Sequence, residues 1–310
     1  MHNDEKPIVS ICCITYNHGK FIADCLNGFL KQKTSFPFEI VVSNDCSTDD
    51  TKSIIDSYLS KYPTMFKVVS PSKNLGSIKN FFHALSKCTG KYIALCEGDD
   101  YWIDENKLQM QVDFLEKNPE YGMCYTKTKQ FIQKKRKFSR RMFGTDVRDF
   151  EDLLFNGNRV PTLTTVFRKD LLNSYLKEIY PQDKGWLMGD YPMWLYFAHE
   201  SKVKFLDKVT SVYRVLENSA SHSRNIEKSV NFAKSVWEIQ NFFSETYLHK
   251  KFHEFDEHLE RAFLYLKFDN RNIAKKEFSL CKPKNTKIRI YRIICSSAVL
   301  FFVFRKYKGF

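Results

Sequence analysis

From Pro7 to Cys96, short apolar runs alternate with longer stretches in which apolar residues recur every three or four positions. Ile8 to Ile14 is a nearly continuous apolar run, and Phe38 to Val42, Phe66 to Val69 and Tyr92 to Cys96 repeat that behaviour. Unbroken runs of this length read as strands buried on both faces, and the amphipathic stretches between them read as helices. Ser47-Thr48-Asp49-Asp50 offers helix-capping oxygens before Ile54, Ile55, Tyr58 and Leu59, and Pro63 ends that segment. Ile78, Phe81, Phe82 and Leu85 mark one face of a further helix, closed by Gly90. Strand and helix in alternation predict βαβ units and a mainly parallel sheet.

Beyond Cys96 the order is less regular. Asp104 is placed to cap a helix whose Leu108, Val112 and Leu115 share a face and which stops at Asn118-Pro119. Tyr121 to Tyr125, Thr164 to Phe167 and Val209 to Arg214 read as strands, and Asp190 to His199 as a helix. The basic stretch after Tyr125 reads as a hairpin or a loop. From Glu227 to Phe268 the spacing of Val230, Ala233, Val236, Phe252, Phe255, Leu259, Phe263 and Leu266 predicts a helical C-terminal appendage beginning near residue 225.

Composition narrows the class. With 43% hydrophobic and 27% charged residues over 310 positions, the chain can bury a sizeable core, which excludes a wholly disordered, collagenous or coiled-coil protein. The nine cysteines form no C-x-x-C pair and several lie in apolar runs, where a thiol acts as a small hydrophobe; a reducing cytosol is expected. Met1 to Pro7 is polar and lacks the charged-then-apolar pattern of a secretory leader, so export by that route is not expected.

The net charge of +13 is concentrated in two places. Lys127 to Arg141 holds eight Lys/Arg and no acid, and Phe278 to Phe310 holds eight more, again with no acid. The remainder is slightly acidic, so the chain is not expected to bind nucleic acid; local blocks of this kind suit an anionic surface or ligand.

The chemistry-bearing residues lie at strand ends. The first strand runs into Thr15-Tyr16-Asn17-His18-Gly19, not G-x-G-x-x-G, which removes most support for hydride transfer. The second ends at Ser43-Asn44-Asp45-Cys46-Ser47, where Asp45 either accepts from a ligand's base or ribose, or forms a turn. The fourth runs into Glu97-Gly98-Asp99-Asp100. Three carboxylates in four residues repel one another unless a cation neutralises them, and oxygen donors suit Mg²⁺ or Mn²⁺ better than zinc. The alternative is a solvated acidic turn.

These segments together resemble the family 2 glycosyltransferases of the nucleotide-sugar-binding GT-A fold. The resemblance is carried by Val9-Ser10-Ile11 through Asn17, by Glu39 to Thr51 (EIVVSNDCSTDDT), by Asn74-Leu75-Gly76 with Lys79-Asn80, and by Ala94 to Leu108 (ALCEGDDYWIDENKL). They cover about the first 125 residues, and Gly189-Asp190-Tyr191 with Trp194-Leu195 is a later, shorter match. The resemblance implies a GT-A catalytic domain over 1–225, with a nucleotide-binding half to about 125 and an acceptor half from 126, followed by a helical region with a basic, apolar tail over 226–310. It implies nucleotide binding by Thr15, Tyr16, Asn17, Asp45, Lys79 and Asp99, metal binding by Asp99, Asp100 and His222, and a catalytic base at Asp190. Lys79 stands where many members have Arg, Glu97 replaces the usual first Asp, and Gly189 replaces a common acidic neighbour. On local sequence alone Asp190 is equally an N-cap, His222 a solvated loop residue, and Trp186 and Trp194 either stack on an acceptor sugar or fill a core.

The expected activity is inverting transfer of a sugar from a nucleotide-sugar donor to a hydroxyl of a glycan or lipid-linked acceptor, in bacterial surface-polysaccharide assembly. A nucleotidyltransferase is the nearest enzymatic alternative, but the first loop is glycine-poor for its phosphate cradle; a non-catalytic membrane or polyanion binder is another. Ile293 to Phe304 is too short to span a bilayer and is flanked by basic residues, so residues 286–310 are expected either at an anionic membrane surface, on the cytoplasmic face, or packed as a C-terminal helix.

Overall fold

The computed structural model describes residues 6–216, 225–281, 290–291, 293–295 and 297. The chain divides into two compact units, Met1–Val215 and Leu216–Phe310.

In the first unit β1 (Val9–Thr15), α1 (Ile22–Leu30), β2 (Phe38–Asn44), α2 (Thr51–Lys61), β3 (Phe66–Val69), α3 (Ser77–Leu85) and β4 (Tyr92–Leu95) alternate as the hydrophobic pattern requires. β1 lies between β2 and β4 and pairs parallel with both, while β3 pairs parallel with β2. Val9, Ile11 and Cys13 of β1 are fully buried, as are Val42 of β2 and Ala94 of β4, which is why these strands carry no polar face. Burying each of these Val and Ile side chains contributes about 1.5–3 kcal/mol, so this sheet centre is the rigid base of the unit. The chain leaves β1 on one side toward β2 and β3 and returns on the other as β4, so the crevice outside the C-terminal ends of β1 and β4 is a topological switch point, the usual ligand position in open α/β sheets.

The rest of the unit adds β5 (Tyr101–Trp102), α4 (Lys107–Lys117), β6 (Tyr121–Ile132), β7 (Lys137–Phe143), α5 (Phe150–Asn156), β8 (Val166–Arg168), α6 (Lys169–Ile179), α7 (Asp190–Glu200) and β9 (Lys202–Val215). Among the described residues the sheet runs β3-β2-β1-β4-β8-β6-β9-β5, with β7 paired to β6. The sheet is thus mixed beyond β4: β8 is antiparallel to β4 and β6, whereas β9 is parallel to β6. This is an α/β fold of the GT-A kind, with helices flanking a sheet whose N-terminal half is parallel.

Several elements depart from the hydrophobic pattern. β6 continues to Ile132 and β9 covers Lys202–Val215, because their polar outer halves are held by hydrogen-bonded pairing with each other and with β7, not by apolar burial. The basic stretch is therefore a hairpin. Thr162–Thr164 forms a 3₁₀ turn, and the strand there starts at Val166. Asp104 accepts the Asn106 amide at 2.9 Å and so makes a turn ahead of α4, whose cap is Asn106. In α7 every residue from Tyr191 to Phe197 is buried, and Trp194 packs edge-on against Phe167 and Phe197; it is core. Trp186 is also buried. All nine cysteines are free thiols, and Cys25 lies 4.0 Å from both Cys13 and Cys96 in the apolar interior, where burial raises the Cys25 and Cys96 pKa values.

The second unit contains α8 (Ile226–Leu248), α9 (Glu257–Lys267) and α10 (Arg271–Leu280). Asn225, Asp256 and Asn270 cap them, each accepting an amide N–H three residues on. Ala262, Leu266, Ala274 and Phe278 form a small core to which Tyr291 and Cys295 are added. Most of the 286–310 tail lies outside the described residues. Among those described, no helix is long and apolar enough to cross a membrane.

Candidate active site

The loops that follow β1 and β2 are fastened to each other. Asn17, in the left-handed region at φ 55°, donates its amide to Ser47 Oγ at 2.9 Å and accepts the Thr48 amide on Oδ1 at 2.8 Å. Ser47 Oγ in turn donates to Asn44 Oδ1 at 2.6 Å, and Asp49 accepts the Gly19 amide at 2.9 Å. Asn17 is thereby fixed as a clamp between two loops. Its neighbour Tyr16 is 45% exposed.

Asp45 is buried, and its two carboxylate oxygens accept the Leu75 amide at 2.7 Å and the Gly76 amide at 2.9 Å. The Asn74 side chain adds a bond to the Asp45 carbonyl at 2.9 Å. The carboxylate therefore holds the turn that launches α3. Lys79 is exposed in the first turn of that helix.

The end of β4 has a different character. Gly98 donates to the Ile14 carbonyl at 2.9 Å, and a Cβ at this position would lie 2.7 Å from Thr15 Oγ1 and 2.9 Å from Ile22 Cδ1. Only glycine lets the acidic segment run this close to β1. Thr15 Oγ1 and His18 Nδ1 are buried with no hydrogen-bond partner. Burial lowers the His18 pKa, while Asp99 and Asp49 act to raise it. Glu97 is pushed up to about 8, first by burial and then by the charges of Asp99 and Asp190. Asp100 is also raised, by burial and then by Asp99 and Glu97, against the opposing pull of Arg214.

Arg214 comes from β9 and is 7% exposed. Its amide donates to Asp100 Oδ1 at 2.7 Å, its guanidinium donates to the Asp99 carbonyl at 2.8 Å and pairs with Asp24, and it lies over the Tyr101 ring at 4.4 Å. Asp100 thus has a structural duty. Asp99, partly exposed, forms no side-chain hydrogen bond or ion pair among the described residues.

Asp190 opens α7 from the other side of the crevice. Thr162 donates its hydroxyl to Asp190 Oδ2 at 2.6 Å, and the Tyr191 amide donates to Oδ1 at 2.8 Å. Each oxygen keeps one lone pair. The helix starts tightly against α3: a Cβ on Gly189 would lie 2.8 Å from the Phe81 ring, which accounts for the absence of a side chain there. Pro192 in the first turn costs no helical hydrogen bond.

Glu97, Asp99, Asp100 and Asp190, with Thr15 and His18, therefore meet at the β1–β4 crevice, and Tyr16, Asn17 and Asp45 occupy the adjoining loops. His222 lies outside the described residues. His18, Thr162 and Arg214 belong to the same constellation without having been singled out as site residues in the sequence. His18 alone carried a local signal, its place directly after Tyr16-Asn17. No three His, Cys, Asp or Glu side chains among the described residues form a ready ligand group. The donors still suit a hard cation, because Asp99 is unpartnered and Mg²⁺ commonly takes one or two carboxylates and completes its shell with water and phosphate.

Comparison with known proteins places these features in context. The family model described as Glycosyl transferase family 2 matches residues 10–179, more than half of the chain. An uncharacterized protein of Mycobacterium tuberculosis is 44% identical over 117 residues, which is 38% of this chain and 34% of that protein. TuaG of Bacillus subtilis, named for teichuronic acid biosynthesis, is 34% identical over 111 residues, 36% of this chain and 42% of TuaG. The chain thus aligns with well under half the length of these curated relatives. S. aureus TarS 1-349 in complex with UDP-GlcNAc superposes with a TM-score of 0.54 at 19% identity, covering 88% of this chain and 83% of that one. Mannosyltransferase PcManGT from Pyrobaculum calidifontis, in complex with GDP-Man and Mn²⁺, superposes with a TM-score of 0.56 at 16% identity, covering 97% and 87%. At those identities the two structures establish a shared fold.

Proposed function

The chain belongs to glycosyl transferase family 2, and from that premise we propose that it moves a sugar from a nucleotide-sugar donor to a hydroxyl of a glycan or lipid-linked acceptor, with inversion at the anomeric carbon. The observation that carries the reading is the meeting of Asp190 with the acidic end of β4: Thr162 holds Asp190 Oδ2 at 2.6 Å, the same turn is tied to β4 by the Leu95 amide donating to the Thr165 carbonyl at 3.3 Å, and the Glu97 pKa is raised by burial and then by the charges of Asp99 and Asp190. Carboxylates are gathered in this way, against their mutual repulsion, where a cation, a diphosphate and a transferred proton are to be handled.

The acceptor hydroxyl is a poor nucleophile at neutral pH. Asp190 takes its proton as the oxygen attacks the anomeric carbon, while the bond from that carbon to the diphosphate oxygen breaks. One displacement from the opposite side inverts the centre. Thr162 keeps Asp190 pointed into the crevice by donating to one carboxylate oxygen. Tyr16 and the Asp45-organised turn form the nucleotide side, with Thr15, Asn17 and Lys79 around it. Asp99, with Asp100 and His222 as further donors, would hold Mg²⁺ or Mn²⁺, which would supply charge stabilisation for the departing diphosphate. The name of TuaG, for teichuronic acid biosynthesis, supports a polysaccharide acceptor, and the reading places the transfer in surface-polysaccharide assembly on the cytoplasmic side of the membrane.

A panel of nucleotide sugars tests this directly. One donor should raise the melting temperature and be hydrolysed slowly in Mn²⁺, with both effects lost in chelator. Stabilisation by no nucleotide sugar, with or without Mn²⁺, would remove the transferase reading.

A further inference from the structure

The β6–β7 hairpin carries charge and apolar surface for which the crevice has no use. From Lys129 to Arg141 it holds seven Lys/Arg, all exposed, and no acid. Among the described residues Lys129, Lys135, Arg136, Lys137, Arg140 and Arg141 form no ion pair. Mutual repulsion of this kind is unfavourable in the free protein.

Apolar side chains are set among these cations. Phe138 is 51% and Met142 55% exposed. Register pairs Lys129 with Met142 and Phe131 with Phe138, so the four share one face, and Phe131 meets Phe138 edge-on at 5.1 Å. The three β7 residues between those pairs, Ser139–Arg141, oppose the single residue Gln130, an irregularity that turns Arg140 and Arg141 outward. Across β6, Phe131 is in register with Arg214, which holds Asp100 and the Asp99 carbonyl. The exposed face of the hairpin is therefore continuous, within one sheet, with the acidic end of the crevice.

We propose that the hairpin is a docking arm for an anionic phospholipid surface, with Phe138 and Met142 entering the headgroup layer and the surrounding Lys and Arg side chains meeting lipid phosphates. Charge complementarity requires an anionic partner, and the exposed apolar pair selects a bilayer over a soluble polyanion, which has no apolar phase to receive it. This contact is independent of donor chemistry and of the transfer reaction. Its consequence is positional: the crevice is brought to the lipid surface.

The test uses the full chain and vesicles of phosphatidylcholine with or without phosphatidylglycerol. The parent should sediment with the anionic vesicles only, and should be released by salt. Arg136→Gln, Lys137→Gln, Arg140→Gln and Arg141→Gln combined should lower the partition coefficient on the order of 10²- to 10³-fold, at about fivefold per charge, with an unchanged melting temperature. Phe138→Trp reports on the hairpin alone: its emission should shift to the blue on anionic vesicles and be quenched by brominated lipid, beyond the parent's change. Equal partitioning of the quadruple variant and the parent, or bound Phe138→Trp protein with unshifted emission, overturns the proposal. So does binding of inorganic polyphosphate that is competitive with vesicles and leaves the Trp emission unshifted on both, which would assign the patch to a polyanion.

Discussion

Two sides of one crevice treat their polar groups in opposite ways. Between the loops after β1 and β2, Asn17, Ser47 and Asn44 are joined by a chain of hydrogen bonds, and buried Asp45 uses both oxygens on backbone amides. Where β1 and the residues just after it face the end of β4, Thr15 Oγ1 and His18 Nδ1 are orphaned, Asp99 is unpartnered among the described residues, and Glu97 is raised by burial and then by its neighbours' charges. Buried groups that are satisfied add rigidity, and groups left unsatisfied store free energy that a ligand can release. The first side is thus scaffold, and the second is where chemistry is expected.

The largest effect should come from removing charge on the unsatisfied side. Asp99→Asn is expected to reduce transfer on the order of 10³-fold, because the cation that stabilises the departing diphosphate loses its accessible carboxylate. The same substitution relieves repulsion on Glu97 and Asp100, so the melting temperature should rise by about 2 °C. Scanning calorimetry showing a clear fall would mean that Asp99 belongs to the scaffold. Asp99 is a sharper choice than Asp100, whose Oδ1 holds the Arg214 amide and whose loss would disturb packing as well as chemistry.

Asp190→Asn should lower kcat by roughly 10²-fold or more while leaving donor affinity nearly unchanged, since the amide keeps the shape and cannot accept the proton. Titration calorimetry of the nucleotide alongside initial rates separates the two. Near-normal turnover would move the base to another residue.

This contrast also explains what could be read from the chain. The motifs ending β1, β2 and β4 were visible because parallel central strands are continuous apolar runs, and whatever follows them in sequence must emerge at the same sheet edge. The contribution of Arg214 was not visible, since it joins Asp100 across 114 residues from a strand that is polar along much of its length. Thr162 was hidden for a related reason: its 3₁₀ turn lies where the sequence suggested the approach to a strand. Asp45 shows the limit in the other direction. Its position at a strand end was legible, but its two amide partners depend on how the loop before α3 folds back.

On the satisfied side, Asp45→Ala should act through stability. It strands the Leu75 and Gly76 amides, of which Gly76 keeps a weaker bond to Asn74 Oδ1 at 3.1 Å. The expected loss is about 2 kcal/mol, seen as a lower urea midpoint, with nucleotide affinity falling because the α3 turn loosens. An unchanged midpoint together with lost affinity would instead make Asp45 a direct ligand group.

The smallest effect tests whether the two sides are as separate as they look, because Thr162 is a satisfied partner serving the reactive side. Its hydroxyl donates to Asp190 Oδ2, a neutral donor to a carboxylate, and such a bond is worth about 1 kcal/mol net when the site can still admit water. Thr162→Val preserves volume and removes the donor. Asp190 then keeps only the Tyr191 amide on Oδ1 and gains freedom to rotate, so kcat should fall about fivefold with the nucleotide Kd unchanged. Thr162→Ser restores a hydroxyl and should recover most of that loss, which a purely steric role for the residue would not produce. A Val variant that loses donor binding in proportion to rate would show that Thr162 acts on the nucleotide side, and the division of the crevice would have to be redrawn around it.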